Sequence, residues 1–250
     1  MAVHSHIHTD GTARTLQKLE SSIDFLDSHP WLRLLVKKVT LTVDLHYDYS
    51  HLYIPLLAVV PMHLLSQLPN LRVWRMGVDV FVVRNPVHLS LHRSTLSRYK
   101  RFAAHIRDLE LSSIAFYQVS DFTGLVSSFT GIHSLTCSRI WFRTADEQDS
   151  KFSLKNSGVG LRARSLDLRR LHLSTSVDIR AVEYLLNSGP AVLDILTLTI
   201  DAPQSERPDY FQRLESLLNG LSHLSSLTYV ILGYNWEYHD GDQVDDKLLL

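Results

Sequence analysis

The feature that most restricts this chain is a short pattern, apolar-x-x-apolar-x-apolar, that returns seven times. Its instances are Val36-Val39-Leu41, Leu71-Trp74-Met76, Ile106-Leu109-Leu111, Ile132-Leu135-Cys137, Ala163-Leu166-Leu168, Leu193-Leu196-Leu198 and Leu227-Val230-Leu232. Successive central positions lie 35, 35, 26, 31, 30 and 34 residues apart. A period in the thirties is the mark of a repeated supersecondary unit. Within each instance the last two apolar residues are two apart, which is strand alternation with both side chains on one face.

Helix-period stretches lie between the strands. They run through Leu16, Leu19, Ile23 and Leu26; through Leu64, Leu65 and Leu68 behind Pro61; and through Phe122, Leu125, Val126 and Phe129. Others carry Val177, Ala181, Tyr184 and Leu185, with Asp178 placed to suit the helix dipole, and Phe211, Leu214, Leu218 and Leu221. A further helix covers about Leu96 to His105. These two periodicities absorb many of the 43 leucines among 250 residues.

A strand and a helix per unit, neither able to bury its apolar face alone, predict an α/β fold: a leucine-rich-repeat-like solenoid of about seven irregular repeats. A helix is about 10 Å wide and strands are spaced about 4.8 Å. The helix side should therefore splay, leaving parallel strands on a concave face and helices on a convex one. Insertions are expected at Asp44–Tyr53 and Thr144–Gly160. The expected organisation is a disordered tail over 1–11, a repeat domain over 12–236 and an acidic tail over 237–250. The competing arrangement, a doubly wound sheet with helices on both faces, calls for strands that are apolar throughout. Here Thr40, Arg75, Glu110, Thr136, Asp167 and Thr197 interrupt them, so one sheet face is expected to be wet.

Motifs that resemble chemistry fall short of it. Gly158-Val-Gly-Leu-Arg-Ala163 fits a dinucleotide fingerprint, but it follows a polar loop and enters a strand instead of opening a helix. His4, His6 and His8 alternate in a polar terminus. His88 and His92 have a zinc-like spacing with no Glu between them. Cys137, the single cysteine, occupies a repeat-core slot, where a thiol is a small hydrophobe. Asp240, Asp242, Asp245 and Asp246 do not match a calcium loop. No enzyme, metal or cofactor is expected. The balance of 25 Lys+Arg against 26 Asp+Glu argues against nucleic acid as a partner. No apolar run approaches the roughly 20 residues of a membrane span, so no membrane partner is expected, and a cytoplasmic or nuclear location is.

Two sets of residues form the expected protein-binding surface. One is the wet strand row of Thr40, Arg75, Glu110, Thr136, Asp167, Thr197 and Ile231, flanked by Arg169 and Tyr229. The other is an aromatic set at strand C-terminal ends: Tyr47, Tyr49, Trp141, Phe142, Tyr234, Trp236 and Tyr238.

The stretch Ile106-Arg-Asp-Leu-Glu-Leu111, then Val119 to Phe129, then Ile132-His-Ser-Leu-Thr-Cys137, resembles fungal, basidiomycete-type F-box proteins with degenerate leucine-rich repeats. Phe25-Leu-Asp-Ser-His-Pro30 ahead of Val36–Leu41 is similar to their first repeat, and Leu91–Leu96 to the lead of a later one. The resemblance covers roughly residues 12–235. It implies a substrate-recognition domain of a cullin–RING ubiquitin ligase, holding an unknown target protein near ubiquitin transfer. No F-box-like segment precedes the first repeat. Ligase subunits are therefore expected as partners only if a longer chain supplies one; otherwise a repeat-only interaction scaffold, or a gene fragment, is implied.

Overall fold

The computed structural model describes residues 3–9, 13–44, 63–79, 88–89, 91–143, 168–187, 193–201, 208–219 and 224–232. Strands β1 (Val3–Thr9), β2 (Val36–Asp44), β3 (Val73–Asp79), β5 (Asp108–Phe116), β6 (Ser134–Phe142), β7 (Arg170–Val177), β8 (Leu193–Asp201) and β9 (Leu224–Leu232) lie side by side in chain order. Every neighbouring pair is parallel. The two-residue β4 (His88–Leu89) pairs with the far end of β5, beyond the point where β3 leaves it.

The helices are α1 (Ala13–Ser28), α2 (Pro30–Leu35), α3 (Arg93–Phe102), α4 (Val119–Ser128), α5 (Ile179–Asn187) and α6 (Pro208–Asn219). Local chemistry explains where they begin. Pro30 takes an initial position of α2, where its missing N–H is no loss. His92 caps α3 by accepting from the Ser94 amide. Gln118 and Asp121 form a reciprocal capping box on α4. Asp178 accepts from the Arg180 amide at the start of α5. The α5 residues Ala181, Val182, Leu185 and Leu186 then recur at helical spacing and are all buried.

The core is two rows of apolar side chains running across the strands. Val39, Trp74, Leu109, Leu135, Leu171 and Leu196 form one; Leu41, Met76, Leu111, Cys137, Leu173 and Leu198 form the other. None is more than 3% exposed. Burial pushes the Cys137 thiol far up, so it stays protonated. An aromatic cluster fills the far end of the central strands, where Phe116, Phe122 and Phe142 meet with centroids 5.4–6.3 Å apart.

The solenoid expectation is overturned: the sheet is flat and uncurled, with no concave face. The curvature argument needed a helix of about 10 Å behind each strand step of about 4.8 Å. Yet α4, which joins β5 to β6, touches α5, which joins β7 to β8. The Ser127 and Tyr184 hydroxyls are 2.8 Å apart and the Phe122 and Tyr184 rings 6.2 Å. The strands those helices follow are two steps apart, roughly 9.6 Å, which one helix diameter matches. On the way from β2 to β3 the described segment holds helical His63 and a 3-10 turn, Leu65–Gln67. Between α4 and α5 the excess width that would force an arc is thus removed. The arrangement is not doubly wound either, because the described strands run in unbroken sequential order.

Two repeat units also sit in a different frame from the one expected. The fifth is Leu168-Leu171-Leu173, not Ala163-Leu166-Leu168. In the seventh, Leu227 pairs with Leu196, three positions before the expected centre Val230. Val3–Thr9, assigned by sequence to a disordered tail, forms β1 in parallel with β2. The acidic tail and Gly158–Ala163 lie outside the described residues.

Phe142 was expected at a binding surface and is instead core, 8% exposed. The reason is a left-handed residue at the same height on two adjacent strands, Ser113 (φ 57°) and Arg139 (φ 52°). Each adds one residue, so the inward phase passes from Leu111 to Ile114 and from Cys137 to Ile140. Trp141 falls on the opposite side, opposite Ala115.

Leu109→Ala should cost about 2–5 kcal/mol, the range for a buried leucine that leaves a cavity. Thr136→Ala, on the other face, should stay within about 0.5 kcal/mol. Thermal melts followed by circular dichroism check both; equal melting temperatures would mean the register is wrong.

Candidate functional site

The strand register brings part of the expected polar row together. Thr40 pairs with Arg75, Arg75 with Glu110, and Glu110 with Thr136. The next neighbour is His172, then Thr197, then Thr228. His172 and Thr228 take the places expected for Asp167 and Ile231, because of the frame changes in β7 and β9. Asp167, Tyr47, Tyr49, Tyr234, Trp236 and Tyr238 lie outside the described residues, as do the side chains of Tyr229 and Ile231. Trp141 is half-buried.

Charges on this face are spent on one another. Glu110 receives Lys38 and Arg75, each at 3.5 Å, and Arg170 reaches Asp108 at 3.4 Å. These side chains are 27–58% exposed, so each pair contributes at most about 1 kcal/mol. Thr40 is buried on the same row, and its Oγ1 lacks a hydrogen-bond partner. His88 and His92 do not share a helix: His88 is in β4 and His92 caps α3.

A second row, not singled out from sequence, runs along the ends where the strands begin. The Arg72 amide donates to Lys37 O at 2.9 Å, that of Arg107 to Arg72 O at 2.8 Å, that of His133 to Arg107 O at 2.8 Å, and that of Arg169 to His133 O at 2.8 Å. The Asp194 amide closes the series on Arg169 O at 2.9 Å. Lys37, Arg72, Arg107, His133 and Arg169 therefore stand one strand apart on a basic rim spanning roughly 19 Å. Lys37, Arg72, Arg107 and Arg169 are exposed and His133 is half-buried. The helices end on this rim as well, and Lys100 and Arg101 occupy the last turn of α3. The signal was present in the sequence: these are the residues two before the central apolar positions 39, 74, 109 and 135. Attention to the residue between each apolar pair passed over it.

The rim is rigid. Arg72 donates through one guanidinium nitrogen to His105 O at 3.0 Å, and Arg107 to Gly131 O at 3.0 Å, 3.1 Å from His133 Nε2. Cationic donors on turn and helix-end carbonyls are electrostatically favoured. A bound guanidinium nitrogen leaves other N–H groups of the fork available for a ligand. The turns themselves pack closely: a Cβ on Gly131 would lie 2.1 Å from Ala104 O. Arg169 also meets Asp194 at 3.5 Å, which ends the basic run at β8.

Comparison of the chain with protein families, with characterised proteins and with solved structures finds no match. Together with the flat sheet, this overturns the F-box resemblance and its fungal attribution. The ubiquitin-ligase role falls with it. So does the repeat-only scaffold, since both relied on a repeat solenoid. No described helix is long and apolar enough to cross a membrane.

His105 supplies a test of how tightly the rim turns are packed. Its Nε2 is buried without a partner. Burial, and to a smaller extent the Arg72 charge, hold its pKa below the ordinary 6.5, against a backbone hydrogen bond with Leu68 that raises it. As pH falls through that ordinary value the unfolded chain takes up the proton first, so stability is present above it and lost below it. Melting temperature should drop on acidification below about 6.5, and His105→Gln should flatten that dependence. A variant as pH-sensitive as the parent would show that His105 is not the group responsible.

Proposed function

We propose that this chain binds an extended polyanion along the rim of Lys37, Arg72, Arg107, His133 and Arg169, and that it acts by binding and not by catalysis. The observation that carries the reading is the backbone hydrogen-bond series that sets these five residues at the starts of five neighbouring strands. Its mechanism is regular charge presentation. Lys37, Arg72 and Arg107 repeat at a step of about 4.8 Å, with Arg169 two steps further on, and two guanidinium groups are steered by carbonyl contacts. Such a row suits a ligand whose negative charges also repeat along a chain, because each neutralised charge releases a counterion.

The net charge of −1 is no obstacle, since binding depends on where charge is placed and not on the total. The polar face is a poorer candidate, because Lys38, Arg75 and Arg170 there all hold carboxylates, whereas on the rim it is Arg169 that holds Asp194. A cytosolic or nuclear location accords with a lone, buried thiol.

Inorganic polyphosphate is the first probe, with binding followed by calorimetry from 50 to 200 mM salt. Four to five rim contacts should give a slope of log K against log[salt] near −3. Arg72→Ala and Arg107→Ala should each weaken binding and reduce that slope by about 0.7, whereas Arg75→Ala on the polar face should change neither. Rim variants that fold and still bind polyphosphate with the parent's affinity and slope would overturn the reading.

A further inference from the structure

Resting on the polyanion reading above, we infer that the ligand is single-stranded nucleic acid, with its phosphates on the basic rim and unpaired bases stacked on Phe25 and Trp31. Whole-chain charge balance had set nucleic acid aside as a partner; the placement of the charges and aromatics brings it back.

Phe25 and Trp31 are 55% and 60% exposed; Tyr117, also exposed at 44%, follows β5 at the opposite end of the sheet from the rim. Their position follows from connectivity. Phe25 is in the last turn of α1, and Trp31 is the second residue of α2, which runs directly into β2. Lys37, the first rim cation, is the second residue of that strand. The Asn70 side chain donates to Leu34 O at 2.9 Å, tying the end of α2 to the turn that delivers Arg72. Connectivity thus puts both rings on the β2 side of the rim, with Trp31 separated from Lys37 by the rest of the six-residue α2. Phe25 is already part of a stack: the His29 ring lies over it at 4.6 Å and 33°, and the His29 amide donates to Phe25 O at 3.0 Å. Phe25 is therefore held in place before any ligand arrives.

A charged row flanked by exposed rings is the combination that single-stranded nucleic acid uses: the row follows the backbone, and the rings take the bases without regard to sequence. Inorganic polyphosphate or a purely acidic peptide would meet the cations and leave both rings in water. A duplex would keep its bases stacked internally and out of reach.

The test uses the full chain and fluorescence anisotropy. Labelled probes are a twelve-nucleotide single strand, an abasic phosphodiester oligomer of equal length, the corresponding duplex, and a glutamate–phenylalanine repeat peptide. The base-bearing single strand should bind roughly tenfold tighter than the abasic oligomer. Trp31→Ala should remove that advantage while leaving abasic binding unchanged, and Trp31→Phe should keep most of it. Equal binding of base-bearing and abasic oligomers would overturn the stacking inference and leave the polyanion reading standing. Loss of binding to every phosphate probe would overturn both. Tighter binding of the acidic aromatic peptide or of the duplex would overturn the assignment to single-stranded nucleic acid.

Discussion

Everything in this molecule hangs on in-register parallel pairing between strands that carry two apolar residues two positions apart. Parallel pairing places like positions beside like, so a pattern repeated in sequence becomes a continuous row in space. Val39 to Leu196 and Leu41 to Leu198 are such rows. Burial of a leucine side chain contributes about 1.5–3 kcal/mol, and the rows bury a dozen residues against one helix layer. The same pairing aligns every other position too. The polar row of the open face and the basic row of the rim are products of the register that builds the core.

How much of this was legible follows from which interactions are local. Alternation is a property of a few consecutive residues, so Val39/Leu41, Leu109/Leu111 and Leu135/Cys137 could be read directly. The frame of a unit is less local. Leu166/Leu168 and Leu171/Leu173 are both apolar pairs two apart, and only pairing with β6 selects the second. Curvature is not local at all. It depends on whether helices from different units touch, and the Ser127–Tyr184 contact joins residues 57 apart in the chain.

Of the candidate binding residues, Thr40, Arg75, Glu110, Thr136 and Thr197 were placed in one row by alternation alone. What alternation could not reveal was that the charges on that row satisfy each other, which depends on strand neighbours distant in sequence. Phe142 was misread for a different reason. Left-handed backbone at Arg139 inverts the phase of everything after it, and neither arginine nor serine advertises that conformation as glycine would. The basic rim was readable in principle, since Lys37, Arg72 and Arg107 hold the same offset in three successive units.

Gly131 gives the rim a character beyond its charge. With no Cβ, it lets the turn before β6 seat directly on Ala104 in the turn before β5, and Arg107 fastens the same turn through its carbonyl. On the proposed polyanion reading, a surface tied together in this way would act as a ruler and not as a glove, with little means of closing on a short ligand. Affinity must then grow by engaging further graduations along the edge, so selectivity would express itself as a preference for ligand length.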